Sequence, residues 1–225
     1  MRMIYSPYYV DIQFVENQPV ILVIEHPMMF QRLLSDLWKQ LEGGEGDWIL
    51  SQQEKNLSIS KSVVGIYNPF VVDCNEKRIL NKVYAELAET AMINYPVETA
   101  ELNGRILEYL DNLMQDMPYH LESRMDMDIS ALLKCYGVEI ERDQASLIEK
   151  IADYLRAMHL VCRIDLFVFV NLRQYLLDDE LKHLYEFAAY EKIHILLIEG
   201  CYPKTIFNES IWIYDRDLCM IHIDN

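Results

Sequence analysis

Four short runs of apolar residues stand out from the mixed pattern of the chain. They cover residues 20–24, 63–67, 166–170 and 193–198, and they are rich in Val, Ile and Phe with little polar alternation. Apolar runs of this kind are typical of parallel strands that are covered on both faces. We therefore predict an α/β protein with a mostly parallel sheet.

Helical patterns follow or join these runs. Residues 27–41 follow the first run and end before Gly43 and Gly44, which favour a helix stop. Residues 178–191 join the last two runs and begin with three acidic side chains, which suit the positive end of the helix dipole. The last two runs are therefore predicted to form a strand–helix–strand unit.

The middle of the chain, residues 75–136, contains no strand-like run. It carries two apolar stripes at helical spacing, one of Leu80, Val83, Tyr84, Leu87 and Ala91, and one of Leu102, Ile106, Tyr109, Leu110, Leu113 and Met117. A strand pattern returns at Val138. These patterns predict an α/β head at 1–74 and 137–225, with an α-helical leg inserted at 75–136.

Composition favours a compact protein inside the cell. Hydrophobic residues make up 52% of the 225 residues, and only 7 Gly and 7 Pro interrupt them. The N-terminus lacks a signal-peptide pattern, and no apolar stretch approaches the ~18 residues that span a bilayer. The five cysteines lie far apart, so we expect reduced thiols. A cytoplasmic protein without membrane contact is predicted.

The motifs of catalysis are missing where this fold class would carry them. A nucleotide site needs a Gly-rich loop after the first strand, but the chain continues there as Glu25, His26 and Pro27. The third run ends in Asn171, where a metal-holding acid would be expected. The histidines show no zinc spacing, and no nucleophile elbow occurs. We therefore expect no enzymatic activity.

An acidic group lies between the second helical stripe and the next helix. Glu122, Asp126 and Asp128 offer hard oxygen ligands of the kind that Ca²⁺ prefers, although the spacing is not that of an EF-hand. A solvated acidic helix start is the alternative interpretation.

The densest basic group is formed by Lys77, Arg78 and Lys82, after the predicted helix cap Asn75. Cations at a helix N-terminus oppose its dipole, so an external anion such as phosphate would relieve them. Ordinary surface charges are the alternative. Lys55 and Lys61 bracket a polar loop and are weaker candidates for the same role.

Net charge opposes binding to nucleic acid. Lys plus Arg total 20 and Asp plus Glu total 36, which gives a formal charge of -16. Screening limits the reach of each charge to about 8 Å at physiological salt, so the local sign of a surface matters more than the total. We expect any DNA binding to be weak, salt-sensitive and independent of sequence.

The order and spacing of several stretches resemble a known family. These stretches include PVILVIEHPMMFQRLL, LSISKSVVGIYNPF, LLKCYGVEIE, DLFVFVN and LLDDELKHLYEFAAYEKIHILLIE. Together they resemble the ring-forming, DNA-end-binding accessory protein of subtype II-A CRISPR spacer acquisition. The resemblance implies a P-loop-NTPase-like head without ATPase activity and a helical leg. It also implies a Ca²⁺-dependent homotetramer that threads linear double-stranded DNA and acts beside the CRISPR integrase and effector nuclease.

The resemblance also assigns residues. The acidic segment of the family falls on Glu122, Asp126 and Asp128. Its lysines fall on Lys55, Lys61 and Lys134. The chain departs from the family pattern at residues 65–68 and at 162–163, which bears on DNA and metal affinity more than on the fold.

Three functional hypotheses follow, in order of preference. The first is a non-catalytic, DNA-end-binding ring, whose subunits associate through the apolar stripes of the leg and through head edges. The second is a protein-binding scaffold of the adaptation complex that has lost DNA contact. The third is a carboxylate-metal nuclease using Glu122, Asp126 and Asp128, which lacks an accompanying base or second carboxylate pair.

Overall fold

The computed structural model describes residues 1–141, 146–202 and 208–224. The chain divides into two compact units. The first unit comprises Met1–Asp73 and Asp143–Asn225, and the second comprises Cys74–Arg142. The second unit thus begins one residue before the predicted leg and extends beyond residue 136.

The chain forms ten strands and seven α-helices within the described residues. The strands are β1 (Arg2–Tyr5), β2 (Val10–Gln13), β3 (Val20–Ile24), β4 (Trp48–Gln52), β5 (Lys55–Leu57), β6 (Val63–Ile66), β7 (Leu166–Val170), β8 (His194–Glu199), β9 (Ser210–Tyr214) and β10 (Met220–Asp224). The helices are α1 (Pro27–Leu41), α2 (Ile59–Ser62), α3 (Lys77–Asn94), α4 (Pro96–Gln115), α5 (Ile129–Cys135), α6 (Leu147–Cys162) and α7 (Asp178–Glu191).

A six-stranded sheet forms the centre of the first unit. Its order is β10-β9-β3-β8-β7-β6, and all neighbouring pairs are parallel except β9 with β10. The four apolar runs form β3, β6, β7 and β8, so the prediction of a mostly parallel α/β sheet is confirmed. Every residue of β3 and β7 is buried, as expected for strands covered on both faces.

A second sheet of four antiparallel strands was not predicted. Its order is β2-β1-β4-β5. Met3 and Tyr5 of β1 and Val10 and Ile12 of β2 are fully buried, and their neighbours in sequence are partly or largely exposed. This period of two marks a sheet with one covered face.

One continuous core joins the two sheets of the first unit. Helix α1 contributes Met29, Leu33 and Leu37, which pack with the inner face of the four-stranded sheet. Alternate residues of β3 complete this core. Helices α6 and α7 carry their own buried apolar residues, such as Leu155 and Leu184, and pack on one another.

The turns at the carboxyl ends of β3 and β7 are each held by a side-chain hydrogen bond. Only Glu25 and His26 separate β3 from α1, and the His26 ring accepts the Met29 N–H at 3.4 Å. Asn171 follows β7 in the left-handed conformation, with φ 53°, and its side-chain oxygen accepts the Gly200 N–H at 3.1 Å. No phosphate-binding glycine loop occurs at either turn.

The second unit consists of α3, α4 and α5. Helix α3 packs against both of the others, and residues 116–128 connect α4 to α5 outside regular structure. The strand predicted to resume at Val138 was wrong, because residues 138–141, which the structure describes, form neither strand nor helix. The Tyr84 hydroxyl donates to the Val138 carbonyl at 2.7 Å. A side chain therefore supplies the hydrogen bond that a neighbouring strand would otherwise give to this carbonyl.

Candidate nucleic-acid interface

The predicted cations of the first unit lie on its short elements. Lys55 begins β5 and Lys61 lies in α2, and both side chains are exposed. A cavity of about 280 Å³ opens beside these elements and is lined in part by Gly44, Asn56 and Ser58. The cavity presents amide and hydroxyl groups beside the two lysine-bearing elements.

Three predicted cations occupy the first two turns of α3. Lys77, Arg78 and Lys82 are all exposed. The first turn holds no acidic residue, and the N-cap Glu76 makes no side-chain capping bond. Positive side chains therefore lie at the positive end of the helix dipole, beside the carboxylate of the N-cap residue Glu76, and an anion that contacts these cations would be stabilised.

The predicted cap of this helix was wrong by one residue. Asn75 precedes the cap and bonds instead to Ile140, donating its side-chain N–H to the carbonyl at 2.9 Å and accepting the N–H at 2.8 Å. A sequence pattern does not show a partner that lies 65 residues away.

Lys134 lies in α5 of the same unit. Its ammonium nitrogen is 5.8 Å from the centroid of the Tyr84 ring, which is a cation–π distance, and its side chain is exposed. Tyr84 belongs to α3, so Lys134 is held against the helix that carries the other three predicted DNA-contacting cations of this unit.

The three predicted metal ligands are not drawn together within one chain. Glu122 and Asp126 are exposed in the connection between α4 and α5, and Asp128 caps α5 by accepting the Ala131 N–H at 3.0 Å. Among the residues that the structure describes, no three His, Cys, Asp or Glu side chains are grouped closely enough to hold an ion. The donor chemistry suits Ca²⁺, but this arrangement alone does not form its site.

A buried charged network in the first unit was missed by the sequence analysis. Arg173 forms an ion pair with Glu209, and the Tyr185 hydroxyl donates to the same carboxylate at 2.9 Å. Glu209 is fully buried. Glu199 lies nearby and accepts the Arg173 main-chain N–H at 3.2 Å. Burial raises the pKa of Glu199. The pKa of Tyr185 is raised mainly by burial and also by the negative charge of Glu209.

Comparison with known proteins gives the family. The family model described as "CRISPR-associated protein (Cas_Csn2)" matches residues 40–218. The CRISPR-associated protein Csn2 of Enterococcus faecalis is 23% identical over 202 residues, covering 87% of this chain and 88% of the relative. The Csn2 of Streptococcus agalactiae is 22% identical over 217 residues, covering 94% of each chain.

Among solved structures, the chain is similar to a nucleotide-free ATP-binding cassette of an ABC transporter. The TM-score is 0.45 at 12% identity, over 95% of this chain and 84% of the cassette.

These matches define a CRISPR-associated protein. Because the family model covers most of the chain, the chain belongs to the Cas_Csn2 family, and the resemblance to the subtype II-A protein is confirmed. No helix in the described part of the chain is long and apolar enough to cross a bilayer.

Proposed function

We propose that this protein is a non-catalytic ring that binds the ends of linear double-stranded DNA during CRISPR spacer acquisition in the cytoplasm. Membership of the Csn2 family is the observation that carries the proposal. DNA would thread through the central hole of a homotetramer, and the ring would act beside the CRISPR integrase and effector nuclease. The exposed cations at the start of α3 support DNA contact, since phosphate would relieve their opposition to the helix dipole.

The head is proposed to be a P-loop-NTPase-like domain that does no nucleotide chemistry. Support comes from the connection after β3, where Glu25 places a carboxylate and Pro27 removes an N–H in the position of a phosphate-binding loop. At the end of β7, Asn171 occupies the position where a metal-holding acid would be expected, and its side-chain oxygen accepts the Gly200 N–H.

Assembly is supported by the exposed apolar side chains of the second unit. No residue of α4 is buried, and Leu102, Tyr109 and Leu113 are 44%, 64% and 47% exposed. Each large apolar side chain that becomes buried on association would contribute about 1.5–3 kcal/mol. A soluble homo-oligomer is expected to close symmetrically, and the family resemblance specifies four subunits.

The exposed apolar side chains of α4 are expected to hold the proposed ring together. The double variant Tyr109→Glu with Leu113→Glu should sediment as a monomer at micromolar concentration, whereas the unchanged protein should sediment as a tetramer, because burying carboxylates is unfavourable. Tyr190→Glu, at an exposed aromatic of α7 in the first unit, is the matched control and should leave the mass unchanged. A monomeric unchanged protein in the presence of Ca²⁺ would refute the ring.

We propose that Glu122, Asp126 and Asp128 hold Ca²⁺ once they are brought together in the assembled protein. Replacing Glu122 by Gln, Asp126 by Asn and Asp128 by Asn should weaken Ca²⁺ binding at least about tenfold in calorimetry, because three carboxylate ligands lose their charge. Asn at 128 still caps α5, so the fold is preserved. Glu86→Gln with Glu89→Gln on α3 is the control, and equal affinity in both sets would exclude this ligand assignment.

The scaffold of the adaptation complex that has lost DNA contact is the second candidate. The formal charge of -16 favours it, because a strongly acidic surface repels DNA. The two candidates differ in the effect of removing the α3 cations, which only the DNA-binding ring requires.

A further inference from the structure

Strand β2 forms an open edge of the four-stranded sheet. Within the described residues it pairs with β1 alone. The Phe14 N–H donates to the Met1 carbonyl at 2.8 Å, so the main-chain polar groups of Phe14 point toward β1. Along an antiparallel strand, successive residues direct their main-chain N–H and C=O groups to opposite sides. Val10 and Ile12 therefore bond to β1, as Phe14 does. The main-chain N–H and C=O groups of Asp11 and Gln13 therefore point away from the sheet.

A groove runs beside this edge. The cavity has a volume of about 490 Å³, and the residues that line it include Asp11, Gln13, Gln18, Ser210, Trp212 and His222. Its volume lies within the range of about 300–1,000 Å³ that is usual for ligand-binding clefts. The groove thus combines a strand edge on one side with side chains of β9 and β10 on the other.

The floor of the groove is aromatic and preformed. Trp212 and His222 are directly paired across β9 and β10, and their rings stack with centroids 4.0 Å apart at 24°. The His222 Nε2 lies 3.1 Å from the Ser210 hydroxyl oxygen, which fixes the imidazole in place. Met220, on the same strand as His222, is 50% exposed. The six-stranded sheet therefore presents apolar surface where a strand added to β2 would lie.

We propose that this edge binds an extended segment of a partner protein by strand addition. The main-chain groups of Asp11 and Gln13 would pair with the segment, and its inward side chains would pack on Trp212 and His222. Those inward side chains should be apolar or aromatic, because the floor offers ring faces.

Charge selects the outward side chains of this segment. On the outer face of the sheet a new strand would place its side chains next to Asp11, which is 44% exposed. Arg2, which also lines the groove, pairs with Asp11, and the exposed Glu16 that follows β2 leaves the local charge negative. A segment that alternates basic with apolar residues is therefore favoured. A nucleic-acid backbone is disfavoured, because its phosphates would meet the same carboxylates.

The test uses the full chain and a synthetic peptide of about eight residues that alternates Lys with Leu or Phe. Binding is measured by fluorescence anisotropy, and hydrogen exchange reports on the amides of Asp11 and Gln13. We expect saturable binding with slowed exchange at those two amides. The same peptide with alternate main-chain amides N-methylated, which removes its pairing groups, should bind at least about tenfold more weakly.

A protein variant tests the same edge from the other side. Because the Gln13 N–H points away from β1, Gln13→Pro removes no bond within the sheet and should weaken peptide binding at least about tenfold. Gln13→Ala keeps the N–H and should bind like the unchanged protein. If the proline variant does not fold, the N-methylated peptide still decides the outcome.

Three results would overturn the inference. The first is no binding of the alternating peptide. The second is equal binding of the N-methylated peptide. The third is protection of the Asp11 and Gln13 amides in the protein alone, together with a mass that falls by half in Gln13→Pro, which would assign the edge to a second copy of this chain.

Discussion

Glu209→Ala is expected to lower the free energy of unfolding by about 3–5 kcal/mol, because it removes the carboxylate that pairs with a buried guanidinium. Glu209 is fully buried and the Arg173 side chain is only 10% exposed, so bulk water solvates the guanidinium poorly once the carboxylate is removed. The Tyr185 hydroxyl loses the same acceptor. Urea unfolding with a comparison of midpoints measures the change.

A charge-free double variant provides the control for this experiment. Arg173→Met with Glu209→Leu removes both ions, and such replacements are often neutral or stabilising, so most of the lost stability should return. A loss below about 1 kcal/mol for Glu209→Ala would mean that the pair is solvated rather than buried.

The triple variant Lys77→Ala, Arg78→Ala, Lys82→Ala is expected to weaken binding to linear double-stranded DNA by well over tenfold. Each cation that contacts phosphate releases about one counterion. The magnitude of the slope of log affinity against log salt should therefore decrease by about one for each lost contact. Symmetry repeats each lost contact in every subunit of the proposed ring. Mobility shift over a series of salt concentrations measures both quantities.

Cations elsewhere on the chain give the matched control for this triple variant. Lys150→Ala, Lys182→Ala, Lys192→Ala removes the same charge from exposed positions in or next to α6 and α7 of the first unit. It should leave the salt slope unchanged. Equal effects of the two triple variants would indicate a general charge effect, and no effect of either would favour the protein-binding scaffold.

The parts of the fold with a strong local signal were predicted well. The bounds of β3 and β7 and of helices α1 and α7 agree with the sequence patterns, because unbroken apolar runs and capped helices need no distant partner to be recognised. Lys77, Arg78 and Lys82 lie at the start of α3, where the sequence analysis placed a basic group, and all three side chains are exposed.

The four-stranded sheet gave a weaker signal. Its strands are three to five residues long, and a short 3₁₀ helix at Ser6–Tyr8 interrupts the N-terminal hairpin. Strands this short contain only two or three inward positions, so alternation is hard to distinguish from chance. At Val138 an apolar, β-branched residue suggested a strand, but a tyrosine hydroxyl serves its carbonyl instead.

Contacts between distant residues could not be predicted from local patterns. Glu209 is separated from Arg173 by 36 positions and Asn75 from Ile140 by 65, and neither pair leaves a periodic trace in the sequence. The same applies to the groove beside β2, whose walls come from the two ends of the chain. Only the folded arrangement reveals these pairs.

The most direct measurement of the proposed function compares linear DNA with covalently closed circles of the same sequence in a mobility shift with Ca²⁺. A ring that threads DNA through its central hole should retain the linear form and leave the closed circle free. Attaching a bulky protein to both ends before mixing should abolish retention of the linear form. Equal retention of linear and closed DNA would contradict threading, and retention of neither would contradict DNA binding itself.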